Sequence, residues 1–205
     1  MRNWTENQIT LVMIRHGATW SNQEHRYLGK TEEPLSEEGI KELLLYKERG
    51  NYPGLDALFA SPMKRCMQTA EILYPALAPV RIKEWTEIDF GAFEGKNYRQ
   101  LQGDQRYQKW IDSNGTLPFP EGESREGFML RCETGFEKMI RQVSKAEGEM
   151  PETVGIIVHG GTIMSLLSRY LGGDYFSYQA ANGKGYICSC HWGSAGLKLS
   201  GAAEL

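Results

Sequence analysis

Two histidines in this chain each close an apolar run and are followed at once by glycine. The first stands in ITLVMIRHGATWSN, where Arg15 and His16 end the run Ile9–Ile14 and Gly17 follows. The second stands in TVGIIVHGGTI, where His159 ends the run and Gly160 and Gly161 follow. A guanidinium holds phosphate oxygens through paired N–H donors, and a neutral imidazole beside it can attack phosphorus. Successive side chains of a regular strand point to opposite faces, so Arg15 and His16 share a ligand only where the backbone leaves strand geometry, which Gly17 eases. His159, with two glycines opening a helix, offers a side chain and free backbone N–H groups to an anion. Alone, each motif is equally well read as a strand-end Arg-His pair meeting solvent or a structural histidine capping a strand. Together they predict a phosphate site built on two histidines.

Such a site needs strands that end at one edge. ITLVMI reads as a buried strand, being short, β-branched and uninterrupted. LSEEGIKELLLYKERG reads as a helix with Ser36 at the N-cap, Glu37 and Glu38 in its first turn and Gly50 beyond its end. A second strand is expected over Leu55–Ser61, then a helix with Pro62 at its first position that carries Arg65. A third strand is expected over Val80–Thr86, followed by Glu87, and a fourth over Thr153–Gly160, leading into the helix TIMSLLSRYLGG. The tail GYICSCHW…GLKLS reads as two short strands joined near Gly193–Gly196.

Strand–helix alternation predicts an α/β fold, a three-layer α/β/α arrangement around a mostly parallel central sheet. Residues 91–148 break the pattern. They read as helical, polar and aromatic, with Tyr98, Tyr107, Trp110, Phe119 and Phe128, and are expected to form a helical cover inside a single domain spanning 1–205. In open sheets of this kind ligands collect beyond the carboxyl ends of the strands, which is where Arg15, His16, Arg65, Glu87 and His159 are expected.

The 205 residues suffice for one buried core, and 24% charged and 40% hydrophobic content is ordinary for a globular protein. A net charge of −3 gives no support for a nucleic-acid or membrane partner, though it does not forbid a local cationic pocket. Neither a leader in MRNWTENQIT nor a membrane-length apolar run is visible. Cys66, Cys132, Cys188 and Cys190 lack the usual zinc spacings and read as reduced buried thiols, so a cytoplasmic location is expected.

Six blocks in order, LVMIRHGATWSN, YLG…PLSEEG, FASPMKRCMQTAEIL, EIDFGAFEG, PFPEGES and IIVHGGTI, resemble the histidine phosphatase superfamily, also called phosphoglycerate-mutase-like. The branch resembled holds small bacterial phosphatases, α-ribazole phosphatases among them. The resemblance implies that His16 is the nucleophile, forming a phosphohistidine. It implies that Arg15, Arg65 and His159 bind the phosphoryl group, with Asn22 and the Gly160 backbone beside them. Glu87 would be the general acid and then the general base. It implies no metal and no cofactor, because two arginines and a protonated His159 supply the charge. The partners implied are a small phosphorylated metabolite and inorganic phosphate.

From the residues alone, Arg65 also reads as a solvated helical arginine, and Glu84, Asp89 and Glu94 compete with Glu87 as the acid. Asn22 also reads as a turn residue, His25 as a loop residue at the pocket rim, and His191 as structural. Tyr98, Tyr107 and Trp110 read as packing residues before substrate contacts. Where relatives carry an aspartate shortly before PL, this chain has KTEEPL, with Glu32 and Glu33.

The first expectation for function is therefore a phosphomonoester hydrolase. A phosphoglycerate mutase shares the blocks but usually carries an Arg-Arg pair, and no such dipeptide occurs here. A catalytically silent phospho-ligand binder is the reading from another class. A zinc hydrolase is disfavoured because neither His16 nor His159 has nearby ligands at the usual spacings.

Overall fold

The computed structural model describes residues 7–145, 149–194 and 196–205. Outside them lie residues 1–6, 146–148, which belong to the expected cover stretch, and 195, which belongs to the expected junction of the two tail strands.

Six strands form one sheet in the order β3-β2-β4-β1-β5-β6: β1 (Asn7–Arg15), β2 (Ala57–Ala60), β3 (Val80–Arg81), β4 (Thr153–Val158), β5 (Gly185–Gly193) and β6 (Gly196–Glu204). The pairings β2–β3, β2–β4 and β1–β4 are parallel, whereas β1–β5 and β5–β6 are antiparallel. The sheet is thus mixed, a parallel half extended by the tail hairpin. The helices are α1 (Trp20–Gln23), α2 (Glu37–Glu48), α3 (Lys64–Leu73), α4 (Tyr98–Leu101), α5 (Gln105–Asp112), α6 (Arg125–Val143) and α7 (Gly160–Leu171).

The apolar strands explain the layering. On β1, Ile9, Leu11 and Met13 enter one core while Val12 and Ile14 enter another. On β4, Val154, Ile156 and Val158 face the first core and Ile157 the second. A strand apolar on both faces must be covered on both. Leu43 of α2 and Cys66, Ala70 and Leu73 of α3 cover one side; Phe128 and Phe136 of α6 and Ile163 and Leu166 of α7 cover the other. The architecture is three-layer α/β/α, as the sequence predicts.

Two local expectations are corrected. The third strand stops at Arg81 instead of running to Thr86: Ile82 N–H donates to Ala60 O (2.9 Å), and Lys83–Trp85 coil into a 3-10 turn. That turn buries Trp85 completely and lets its indole N–H donate to Cys132 O (3.2 Å). Burial of an indole with its polar edge satisfied outweighs the edge-strand pairing that residues 82–86 give up. The second helix begins at Lys64, with an extended Met63 at the N-cap, so Pro62 lies in the bend before it.

Within the cover stretch, α4 and α5 are capped by Asn97 and Asp104. Tyr107 and Trp110 pack with Phe93 and Phe119, at centroid distances of 5.3 Å for Phe93–Tyr107 and 4.9 Å for Trp110–Phe119. Tyr98 is exposed under the Arg99 guanidinium. Among the described residues no helix is long and apolar enough to cross a membrane. The four cysteines are free and buried.

Candidate active site

The register of the parallel strands builds the centre. Arg15 of β1 is paired with Val158 of β4, so the residues that follow, His16 and His159, leave the sheet side by side. His16 N–H still donates to Val158 O (3.0 Å). Beyond β2, Ser61 N–H donates to Ile157 O (2.9 Å), which brings a hydroxyl to the same edge. The two imidazoles are buried, with ring centroids 5.2 Å apart and planes at 67°.

His16 is held in one tautomer. Its Nδ1 lies 2.7 Å from Gly17 O, and a carbonyl only accepts, so Nδ1 carries the proton and Nε2 keeps its lone pair. Gly17 packs closely: a Cβ there would lie 2.6 Å from Leu43 Cδ1, so that side chain would have to shift. Its N–H donates to Thr69 Oγ1 (3.0 Å), whose hydroxyl donates to Arg65 O (2.7 Å). Burial, then Arg65 and Arg15, hold His16 well below the ordinary histidine value, so the ring is neutral near pH 7.

Arg65 is fully buried, which rules out the solvated helical reading. Its Nη1 donates to Thr31 O (3.0 Å) and its Nη2 to Gly29 O (2.8 Å). Arg15 Nη1 donates to Ala180 O (2.8 Å). The Nε groups of both arginines are buried and make no hydrogen bond among the described residues. Neither arginine forms an ion pair among those residues. Two guanidiniums so placed are costly unless an anion comes to them. Burial, and the Arg65 charge after it, lower the Arg15 pKa, against the opposing pull of Glu87.

His159 Nε2 lies 2.8 Å from Ser61 Oγ and 3.6 Å from Cys66 Sγ. Burial, then Arg65, His16 and the other arginines, depress its pKa well below the ordinary value. Among these cations, with no anion present, the neutral ring is favoured. After His159, α7 starts with no side-chain cap, leaving the first-turn N–H groups of Gly160 and Gly161 toward the strand ends. Gly160 is in ordinary contact with Arg15, its notional Cβ lying 3.5 Å from Arg15 Nε.

The four acidic residues near the third strand are separated by their partners. Glu84 pairs with Lys138, and Asp89 pairs with Lys30 at 2.7 Å. Glu94 accepts from the N–H groups of Gly29 (2.9 Å) and Thr31 (3.1 Å). Among the described residues Glu87 accepts only from the N–H of Ile88 (3.0 Å), and burial pushes its pKa up against the opposing pull of that N–H, Arg65 and Arg15. It lines a cavity of about 170 Å³ together with Gly161.

Asn22 sits nearby. Its Oδ1 accepts from Thr19 N–H (3.1 Å) and from Asn182 Nδ2 (3.1 Å), which leaves its NH2 as the remaining donor. Glu32 and Glu33 cap backbone N–H groups, of Lys64 (2.9 Å) and Ser21 (3.1 Å), and so brace α3 and α1. His25 is exposed on the surface, and His191 lies on β5 with Nε2 3.4 Å from Ser200 Oγ.

Several supporting residues carry no signal in the sequence. Asn182 Nδ2 donates to His16 O (3.0 Å) from the loop before β5. Arg131 on α6 donates to Glu84 O (2.8 Å) and Thr86 O (2.7 Å), and its guanidinium is clamped by Glu123 at 2.9 and 2.7 Å. It thereby fixes the backbone that carries Glu87. Glu123 lies inside PFPEGES, so that block marks it; Arg131 lies in an amphipathic helix and nothing local does. Among the described residues no group of three or more His, Cys, Asp or Glu side chains converges in a way that could hold a metal ion.

The histidine phosphatase superfamily (branch 1) matches residues 11–197. The chain belongs to that superfamily, whose members include phosphatases and mutases. It is 28% identical over 191 residues to a 2,3-bisphosphoglycerate-dependent phosphoglycerate mutase of Bifidobacterium longum, covering 77% of this chain and 75% of the relative. It is 29% identical over 169 residues to PhoE, an uncharacterized phosphatase of Bacillus subtilis, covering 80% of this chain and 78% of the relative. In fold it matches the α-ribazole phosphatase of Shigella flexneri with a TM-score of 0.73 at 23% identity, over 94% of this chain and 95% of the other.

Proposed function

We propose that the protein is a metal-independent phosphomonoesterase that works through a phosphohistidine on His16. In the first step His16 Nε2 forms an N–P bond as the P–O bond to the alcohol breaks, and Glu87 gives its proton to the leaving oxygen. In the second step Glu87 takes a proton from water, whose oxygen forms the new P–O bond as the N–P bond breaks. Arg15, Arg65, His159, the Asn22 amide and the Gly160 N–H hold the equatorial oxygens, where the charge of the transferring group is spread. The observation that carries this reading is the pair of imidazoles at 5.2 Å beside the fully buried Arg65 and the half-buried Arg15, whose buried Nε groups make no hydrogen bond among the described residues.

The substrate is a small phosphorylated metabolite and a product is inorganic phosphate; α-ribazole phosphate belongs among the candidates because a structural relative acts in that chemistry. A single domain over 1–205, with 91–148 as cover, and a cytoplasmic setting for the reduced buried thiols complete the proposal. The test is phosphate release from p-nitrophenyl phosphate at mildly acidic pH, with and without a strong chelator. Release that persists with chelator and vanishes in His16→Ala supports the reading; release unchanged in His16→Ala overturns it.

A second reading, a phosphoglycerate mutase, is favoured by the 28% identity to such an enzyme. It requires the phosphoryl group to return to a bound acid instead of water. Interconversion of 2- and 3-phosphoglycerate faster than phosphate release would establish it.

A further inference from the structure

The cavity beside Glu87 has walls of an unusual kind for a site handling a dianion. Tyr27, Phe90, Trp110, Phe119 and Tyr175 contribute aromatic surface, and Ile88 and Met164 complete an apolar lining in which Glu87 is the only acid. A proton donor to the leaving oxygen must stand on the leaving-group side of phosphorus, so the cavity that Glu87 lines is where the alcohol portion goes. Its volume is about 170 Å³. An apolar cavity of about 150 Å³ accepts one benzene molecule.

The outer end has a different character. Trp110, Gly115, Arg125 and Phe176 line both this cavity and an adjoining pocket of about 440 Å³ whose wall includes Asn114, Thr116 and Asp174. The Arg125 guanidinium lies 5.4 Å from the Tyr175 ring centroid and 5.8 Å from that of Phe176, and those two rings meet edge to face, so a cation against aromatic rings forms the neck. A chamber of ring faces and edges thus opens onto a polar vestibule.

We propose that this chamber binds the leaving group, and that the protein selects phosphate monoesters whose alcohol carries a flat apolar ring close to the ester oxygen. The inference rests on the phosphomonoesterase reading above and names the substrate class for that site. The ring fills the chamber, where aromatic edges and faces pack favourably, and polar substituents project past the neck. A carboxylate in the chamber would lose its hydration beside Glu87, so phosphoglycerates are selected against.

The experiment compares 2-phenylethyl phosphate with ethyl phosphate, both esters of primary alcohols with equally poor leaving oxygens. It also compares binding of 2-phenylethylphosphonate and ethylphosphonate by calorimetry, which needs no turnover. The wild-type protein is expected to prefer the phenyl member by about tenfold or more, both in kcat/KM and in Kd, since one buried methylene alone is worth about tenfold or more. In Met164→Trp, which fills the chamber, that ratio falls toward one; in Phe176→Ala, an exposed change at the neck, it falls by a few-fold. Equal Kd for the two phosphonates, or faster phosphate release from 3-phosphoglycerate than from 2-phenylethyl phosphate, overturns the inference. Tighter binding of the phenyl phosphonate with no release from either ester supports the chamber and removes the hydrolase reading instead.

Discussion

The imidazoles of His16 and His159 meet edge to face across neighbouring parallel strands, 5.2 Å between centroids, although 143 positions separate them in the chain. Because His16 Nδ1 donates to Gly17 O, Nε2 keeps its lone pair and is the atom that the proposed mechanism directs at phosphorus. Replacing His16 with alanine is expected to lower kcat by about 10⁴-fold or more, the scale seen when a nucleophile is removed. An alkaline quench, which preserves phosphohistidine, should trap label from a labelled ester on the wild-type chain and none on His16→Ala. Label retained by the variant would place the nucleophile elsewhere.

The two glycines that open α7 differ in what they allow. A Cβ on Gly161 would lie 2.7 Å from Glu87 Oε1 and 2.9 Å from Phe128 Cε1, whereas one on Gly160 would be 3.5 Å from Arg15 Nε. Gly161→Ala is therefore expected to displace Glu87, to reduce kcat for alkyl phosphates at least tenfold, and to destabilise the fold by about 1–3 kcal/mol through overpacking. Gly160→Ala meets only ordinary contacts and should change both much less. Thermal denaturation and kcat of the two variants, measured side by side, check the contrast.

Much of this arrangement is legible in the sequence, and the part that is not has physical reasons. The runs around Ile9–Ile14 and Thr153–Val158 are continuous and apolar because both faces of each strand are covered, and that signal is local. The strand-end positions of His16 and His159 follow from it. Glu87 could be preferred to Glu84, Asp89 and Glu94 only by its place in a block; what separates them is Lys138, Lys30 and the Gly29 N–H, all distant in the chain. The third strand is over-read because the alternation of Val80, Ile82 and Glu84 does not reveal that Trp85 has a place beneath α6. There Gly135 leaves the room: a Cβ at that position would be 2.7 Å from the indole nitrogen.

Arg131 is expected to act as a positioning residue for Glu87. It touches neither imidazole in the hydrogen-bond network, yet it spans the carbonyls of Glu84 and Thr86 and is held by both oxygens of Glu123. Lysine has a single point charge where the guanidinium has a fork, so Arg131→Lys should satisfy only part of this set. The expected result is a fall in kcat of about tenfold or more with KM for p-nitrophenyl phosphate changed much less, as for an interaction made chiefly in the transition state. Equal losses in kcat and stability in Arg131→Lys and Glu123→Gln, with an unaltered pH profile, would show a purely structural role.

The pH dependence follows from two shifts of opposite sense. His16 and His159 lie well below the ordinary 6.5 through burial and neighbouring cations, and burial raises Glu87 above the ordinary 4.5. For stability, the unfolded chain takes up the histidine protons first, so the contribution of the two rings is present above about pH 6.5 and is lost as pH falls below it. Glu87 has the opposite sign: its contribution is present below the ordinary carboxylate range and is lost as pH rises through its folded value. The proposed mechanism requires a neutral His16 and a protonated Glu87 together. Activity on alkyl phosphates should therefore peak at mildly acidic pH and fall as pH rises through the Glu87 pKa. Glu87→Gln cannot titrate, so it should lose that falling limb and lower kcat for ethyl phosphate by about 10²–10⁴-fold. Its effect on p-nitrophenyl phosphate should be smaller, because p-nitrophenolate departs without needing a proton. Profiles of the two proteins on both substrates share the titration of the substrate itself, so their ratio isolates the carboxyl. A ratio that is flat across pH would remove Glu87 as the proton donor.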